Sequence, residues 1–248
     1  MKYACYGKTT NIILPFDYDE NNPDIVLSFG GDGTMLGAIH KYKNQLEKIK
    51  FVGINTGKLG FYTDFVIDEL NEIFCLLKEE DYDIFKLNLM EYCLIGTDNF
   101  LKGYAVNDLA LINPINTQIM DIYINGKHFE TIRGTGVLIS PPGGSTAYNK
   151  SLGGSIIDPF IKAIQLTEVA PINNRVYRSL ASPMVLSEKT EIELRPHSAQ
   201  NLYLTVDGEY LHFDNLKAIK ADLSDKTVSF IVKRDTDFFD RVKRAFIE

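Results

Sequence analysis

Gly30-Gly31-Asp32-Gly33-Thr34 brings together the groups that handle a phosphate. Glycines let an anion come close to the backbone. The start of a helix offers unpaired N–H groups and the positive end of its dipole. The segment is not a Walker A loop, because no G-K-[ST] follows, and it lacks the G-x-G-x-x-G spacing. Asp32 is the unusual member, since a carboxylate repels a phosphate unless Mg²⁺ or a proton-donating hydroxyl stands between them. Phosphorylation of a hydroxyl needs this set: a base beside the acceptor, N–H groups on the donor phosphates and a metal to screen charge. The plainer alternative is a turn in which Asp32 caps the next helix. A buried strand before it and a helix after it weigh against that alternative.

Other polar groups offer less. His40, His128, His197 and His212 are scattered without metal-ligand spacing, so surface or half-buried positions are expected for them. Ser145 sits in Gly-Gly-Ser-Thr-Ala rather than G-x-S-x-G, which argues against a hydrolase elbow. Cys5, Cys75 and Cys93 are far apart, odd in number and without a C-x-x-C pair, the pattern of reduced thiols rather than a zinc site or disulfide scaffold. Asp207-Gly208-Glu209 reads first as a turn, from which Asp207 could also reach a substrate.

The elements that must position these groups follow from periodicity. Ile25-Val26-Leu27-Ser28-Phe29 and Phe51-Val52-Gly53-Ile54 are continuous apolar runs, the pattern of strands buried on both faces of a parallel sheet. Leu36, Ile39, Tyr42, Leu46 and Ile49 recur at helical spacing, predicting a helix over roughly 35–49. Strand, Gly-rich turn, helix and strand make one βαβ unit. A second helix is expected near 68–78. After about residue 84 the pattern turns to strands: 85–95, 104–112, 120–124, 127–132, 137–140, 190–195, 201–206, 209–213 and 228–232. Asn125-Gly126 and Asp207-Gly208 are tight-turn signals. Asp158-Pro159 predicts a helix start, with Ile161, Ile164, Leu166 and Val169 as its apolar face. Residues 237–247 predict a short amphipathic helix with Phe238, Val242 and Phe246 in register. The expected fold class is therefore α/β plus all-β: an α/β domain over 1–84 and a β-rich domain over 85–236.

With 248 residues the chain can bury a large core without disulfide or metal staples. Its net charge of −7, without a basic run, makes nucleic acid and anionic membrane poor partners. No apolar run approaches the roughly 20 residues that span a bilayer, and the first residues lack a secretory signal pattern. A cytoplasmic location is expected.

Four ordered segments resemble the NAD kinase family. The first is Gly30-Gly31-Asp32-Gly33-Thr34, a loop also found in diacylglycerol and sphingosine kinases and, more distantly, 6-phosphofructokinases. Asn55-Thr56-Gly57-Lys58-Leu59-Gly60-Phe61 is similar to the family's G-x-L-G-F stretch. Asn107-Asp108 resembles its Asn-Glu pair. Gly143-Gly144-Ser145-Thr146-Ala147-Tyr148, leading to Ser151-Leu152-Gly153-Gly154, resembles its T-G-S-T-A-Y motif. Asn173-Asn174-Arg175 and Ser182-Pro183 also fall where small bacterial members carry them.

The resemblance implies transfer of the γ-phosphate of ATP, or of polyphosphate, to the 2′-hydroxyl of the adenosine ribose of NAD, giving NADP. It implies an N-terminal Rossmann-like α/β domain, a C-terminal β-sandwich-like domain and a site in the cleft between them. The C-terminal helix, 237–248, would pack back on the first domain, and the chain would work as a homodimer or homotetramer. Asp32 would be the base on the 2′-hydroxyl, and Gly31, Gly33 and Thr34 would hold phosphate. Phe61, Asn107, Asp108, Arg133, Thr135, Thr146, Ala147, Tyr148, Asn149, Lys150, Ser151, Ala170 and Asp207 would bind NAD, with Tyr62 adding flat apolar surface. Mg²⁺ or another divalent cation would arrive with ATP, since no dedicated carboxylate cage is visible. Asp108 replaces the family's Glu, shortening its reach by about one C–C bond, roughly 1.5 Å. Thr135 replaces an Asp that lies near the cationic nicotinamide, so it lacks that attraction. Pro142-Gly143-Gly144 departs from the usual Thr-Pro-Thr/Ser-Gly, and the stretch before Gly30 is short. A lipid kinase of the diacylglycerol type would share the first loop and the two-domain layout but has no reason to match the 144–148 motif or Asn107-Asp108, and a silent dinucleotide sensor would not need Asp32.

Overall fold

The computed structural model describes residues 1–8, 14–57, 60–234 and 236–248. Lys58 and Leu59 of the G-x-L-G-F-like stretch lie outside them. The chain forms two compact units, residues 1–87 with 226–248, and residues 88–225.

The first unit is a parallel sheet with helices. Its elements are β1 (Lys2–Gly7), β2 (Asp17–Tyr18), β3 (Ile25–Phe29), α1 (Asp32–Lys41), β4 (Lys50–Asn55), β5 (Phe65–Val66) and α2 (Leu70–Glu79). β2, β1, β3 and β4 lie side by side in parallel, and β4 also pairs with β5. Every residue of β3 is buried, as a strand covered on both faces must be. Its core joins Ile25, Leu27, Phe29, Val52, Ile54 and Phe65 to Ile73 and Leu77 of α2. The chain runs directly from β3 through Gly30 and Gly31 into α1, so the loop stands at the carboxyl end of a central parallel strand. Ligand sites of open α/β sheets form there.

Helix α1 is shorter than its periodicity predicts. Tyr42, Leu46 and Ile49 are buried as expected, but residues 42–48 are turns with bonds from Gln45 to Tyr42 and from Lys48 to Gln45. Side chains fix these turns to the 20–22 loop: the Tyr42 hydroxyl donates to the Glu20 carbonyl and Gln45 Nε2 to the Asn21 carbonyl.

Strand β6 (Asp83–Ile95) leads from the first unit into the second. There follow β7 (Phe100–Ala105), β8 (Leu109–Ile112), β9 (Gln118–Ile124), β10 (Lys127–Gly134), β11 (Gly136–Ser140), α3 (Tyr148–Ser151), β12 (Ala163–Val169), β13 (Met184–Ser187), β14 (Ile192–Pro196), β15 (Tyr203–Val206), β16 (Glu209–Tyr210) and β17 (Ala218–Val232). Antiparallel β10, β9, β14 and the first part of β17 form one sheet of the second unit. The order β13-β12-β11-β8-β15-β16 forms another. Met120, Ile122, Ile192 and Leu194 from one sheet meet Leu109, Val137, Ile139 and Ile164 from the other in a shared apolar core. The last residues of β17 return to the first unit, pairing parallel with β4, and α4 (Phe238–Phe246) completes it.

Two further expectations are corrected. The helix expected from Asp158 is the strand β12. All seven of its residues are buried, and it is flanked by β11 and β13. An apolar run covered on both faces reads alike in either period. Its polar residues find partners inside: Gln165 exchanges bonds with the Ser155 backbone, and Thr167 donates to Asn149. Only a turn remains at Asp158, whose carboxylate accepts the Phe160 N–H. The strand expected over 104–112 is broken between β7 and β8 at residues 106–108, and the break shapes the site. Among the described residues, no helix is long and apolar enough to cross a membrane.

Candidate functional site

The first unit supplies a glycine-rich loop with a fixed carboxylate. Gly31 is the N-cap of α1 in an extended conformation, and Asp32 is the first helical residue. Asp32 does not cap its own helix. Its Oδ2 accepts the Phe61 N–H and its Oδ1 the Tyr62 N–H, each at 2.9 Å. A Cβ on Gly60 would collide with that carboxylate, so the 60–62 backbone can approach only because Gly60 lacks one. Gly31 and Gly33 have open space where a side chain would stand, so an anion can reach their backbone. Thr34 packs against Gly30 and Gly7, leaving no room for a Cβ on either.

The 60–64 segment is held from below by buried polar groups. Thr63 Oγ1 accepts from Gly60 N (2.9 Å) and Asn55 Nδ2 (3.0 Å). Tyr62 is buried and stacks on Phe230 with centroids 5.2 Å apart, so its ring is core rather than flat surface for a ligand. Phe61 is half-buried, with its ring 5.5 Å from Phe246 and 6.4 Å from Phe238 of α4.

In the second unit the break between β7 and β8 is organised by one carboxylate. Asp207 Oδ1 accepts from the N–H groups of Val106 (3.0 Å), Asn107 (2.6 Å) and Asp108 (3.2 Å), and Oδ2 also accepts from Val106. Asp207 sits at φ 52° in the tight turn it forms with Gly208, and its own N–H donates to the Asp108 carbonyl. The turn was legible in the sequence. Its carboxylate serves the backbone that carries Asn107 and Asp108. Ser140 Oγ donates to the Asn107 carbonyl at 2.9 Å, a contact that sequence reasoning missed. Gly144 presses on the same carbonyl so closely that a Cβ would overlap it.

Gly144→Ala therefore forces backbone from backbone, with no flexible side chain to yield. Overpacking of this kind costs roughly 1–3 kcal/mol, a fall of several degrees in Tm for a chain of this size. An unchanged melting curve would place the 141–145 segment away from Asn107.

Asp108 is 5% exposed. Burial, and then the charge of Asp207, pushes its carboxyl up to about 7 from the usual 3.8. A carboxyl raised this way stabilises the fold when protonated, so that contribution is complete below about pH 4 and is lost as pH rises toward 7.

The 143–151 motif divides its duties. Ser145 is fully buried, with Oγ donating to the Ile157 carbonyl and accepting the Ile157 N–H. Asn149 is also fully buried and turned inward, accepting from Thr167 and facing Ser155. Thr146, Ala147 and Lys150 are half-buried, and Tyr148 and Ser151 are exposed, so these present the accessible surface of the motif. Gly134, Thr135 and Ala170 line a separate cleft of about 230 Å³ with Asn113, Asn116 and Thr117. Arg133, next in sequence, lies over the Tyr177 ring at 4.3 Å.

The structure thus brings together Gly31, Asp32, Gly33, Thr34 and Phe61 in one unit. In the other it joins Asn107, Asp108 and Asp207, and separately Thr135 with Ala170. Sequence reasoning also missed Asp64 and Arg241, a buried ion pair in the first unit with Nη2 and Oδ2 2.6 Å apart. The one sequence signal was a base three residues after Phe238, in register with the apolar face of α4. Among the described residues, no group of three or more His, Cys, Asp or Glu side chains is placed to hold a metal ion.

Two family models match the chain. The model of the ATP-NAD kinase N-terminal domain matches residues 14–82, and that of the ATP-NAD kinase C-terminal domain matches 107–231. An NAD kinase of Leuconostoc mesenteroides is 42% identical over 232 residues, spanning 93% of this chain and 88% of that protein. An NAD kinase of Streptococcus pneumoniae is 42% identical over 238 residues, spanning 94% and 86%. The fold matches that of yeast NADH kinase complexed with NADH, with TM-score 0.80 and 24% identity, covering 94% of this chain and 73% of that one. It also matches an NAD kinase from Archaeoglobus fulgidus in complex with ATP, with TM-score 0.77 and 23% identity, covering 98% and 99%. With both family models matched and relatives 42% identical over nearly its whole length, the chain belongs to the NAD kinase family.

Proposed function

We propose that this chain phosphorylates the 2′-hydroxyl of the adenosine ribose of NAD, using ATP or polyphosphate, to give NADP. The observation that carries the reading is Asp32, a carboxylate fixed by two backbone N–H groups beside glycines open to an anion. Each Asp32 oxygen keeps a lone pair for the acceptor hydroxyl. As the 2′-oxygen forms its bond to the γ-phosphorus, the hydroxyl proton passes to Asp32 and the ADP oxygen leaves. The transition state of such a transfer is loose, so aim matters more than base strength. Gly31, Gly33 and Thr34 hold phosphate through the start of α1. A divalent cation such as Mg²⁺, carried by the nucleotide phosphates, supplies charge screening.

Asn107 and Asp108 bind ribose hydroxyls, and Asp207 keeps them displayed. Thr146, Ala147, Tyr148, Lys150 and Ser151 line the dinucleotide groove, with Asn149 shaping it from inside. Arg133, Thr135 and Ala170 serve the nicotinamide half, and Phe61 offers an aromatic edge. We assign the α/β part of the chain to the phosphate donor and base, and the β-rich part to NAD. The exposed Val176, Tyr177 and Leu180 support a homo-oligomer, and the composition supports a cytoplasmic protein.

The test is NADP formation by the purified protein with NAD, ATP and Mg²⁺, read through an NADP-specific dehydrogenase and repeated with polyphosphate. Turnover with either donor supports the reading, and none with both removes it. The raised titration of Asp108 adds an expectation. A carboxylate accepts both hydroxyls of a vicinal diol, so binding draws on the ionised form. NAD affinity should fall about tenfold per pH unit below about 7 and level off above it. Calorimetry from pH 5.5 to 8.5 checks this. A flat profile in the native protein, or a sloping one in Asp108→Asn, would contradict it.

A further inference from the structure

We propose that Arg241 and Asp64 are positioning residues for Asp32, and that helix α4 sets the catalytic aim of the phosphate loop. The inference rests on the reading of Asp32 as the base. Arg241 donates through Nε to Asp64 Oδ1 (3.2 Å) and through Nη2 to Asp64 Oδ2 (2.6 Å). Arg244 donates from Nη2 to the Gly60 carbonyl at 3.1 Å. The Phe61 ring rests against Phe238 and Phe246. One helix thus holds the beginning, middle and end of the 60–64 segment. The two N–H groups inside that segment, on Phe61 and Tyr62, are those that orient Asp32.

The choice of an ion pair is informative. The Asp64 and Arg241 side chains are 4% and 3% exposed and are bonded to each other through both carboxylate oxygens, so the pair is turned inward. A buried ion pair is a poor adhesive, because desolvation offsets most of the attraction, and apolar residues of similar volume often hold a fold as well. What apolar residues do not provide is a planar fork that fixes the orientation of a carboxylate. Asp64 is two residues from Tyr62, so its orientation sets the direction of the peptide groups facing Asp32. The helix that carries the fork is itself stopped at a defined point. Asp237 caps it by accepting the Asp240 N–H, while the Asp240 carboxylate accepts the Asp237 N–H.

The experiment compares the native chain with Arg241→Lys, with the apolar double variant Asp64→Leu/Arg241→Met, and with Asp32→Asn. Tm, kcat, KM for NAD and ATP, and amide hydrogen exchange at Phe61 and Tyr62 are measured. The double variant should melt within a few degrees of the native chain and keep both KM values within about twofold. Its kcat should fall 10- to 100-fold, and both amides should exchange at least tenfold faster. Arg241→Lys, which keeps the charge but loses the fork, should lie between. A stable double variant with native kcat would overturn the proposal. So would protected amides in that variant, or a loss of kcat that merely follows a loss of folded protein. Native turnover in Asp32→Asn would instead remove the base, and with it the catalytic role of the clamp. That result is distinguishable because it appears in a variant whose α4 is untouched.

Discussion

Asp32→Asn should lower kcat by roughly a thousandfold while leaving NAD binding within a few-fold of native. General-base contributions span about 10²–10⁴, and here the same group also aligns the attacking oxygen. The substitution keeps shape but not function. An amide oxygen can still accept one of the two N–H groups at 60–62, whereas its NH₂ meets the other donor to donor. Base and alignment are therefore lost together. NAD binding should persist because the groups assigned to its ribose, Asn107 and Asp108, belong to the other compact unit. Calorimetry for NAD beside coupled turnover separates the two effects. Loss of binding in step with turnover would make Asp32 a substrate-binding or structural group, and full turnover would remove it from the reaction.

The parallel half of the fold was legible because strands buried on both faces leave unbroken apolar runs, as at Ile25–Phe29. The tight turns were legible because few residues accept positive φ. Asn125 and Asp207 stand at 51° and 52°, each followed by a glycine. What failed was the choice of period where burial is complete. Ile161, Ile164, Leu166 and Val169 fit a helical face, yet 163–169 is a strand because β11 and β13 pair with it from both sides. That information lies in the partners and not in the segment. The end of α1 failed differently: burial followed the helical period through Ile49, but side-chain anchors to the 20–22 loop set the backbone.

At the site, residue types showed which groups could do chemistry but not what holds them. Gly30 to Thr34 marked a candidate phosphate loop through spacing alone. That Asp32 would bond to backbone 29 and 30 residues away had no local signal. The Arg241–Asp64 pair spans 177 residues and was invisible for the same reason. An arginine in register with an apolar helix face is the only trace such a pair leaves, because the pattern marks position and not partner. Asn149 shows the converse. It sits inside a recognisable motif, yet its amide is directed inward at Thr167. A motif therefore contains residues that meet a ligand together with residues that hold the others in place.

Asp207 carries this distinction to its largest structural effect. Asp207→Ala strands the N–H groups of Val106, Asn107 and Asp108, all of which its carboxylate accepts. Hydrogen bonds to a charged acceptor contribute about 1.5–3 kcal/mol each, less when several share one group. A total loss of about 4 kcal/mol is expected, a large part of the 5–15 kcal/mol that holds a typical protein folded. Alanine at a left-handed position adds to the strain. Asp207→Asn separates structure from charge. Its oxygen can still take the three N–H groups on the Oδ1 side, so the fold should lose only about 1–2 kcal/mol. Removing the negative charge should also lower the titration of Asp108 from about 7, because that charge is the second cause of its elevation after burial. The pH below which NAD affinity falls should move down with it. Thermal melts of both variants and NAD calorimetry across pH on Asp207→Asn give the measurement. If Asp207→Asn keeps the native pH profile, burial alone raises Asp108. If Asp207→Ala melts like the native chain, the 106–108 backbone is held by Ser140 and Gly144 without it.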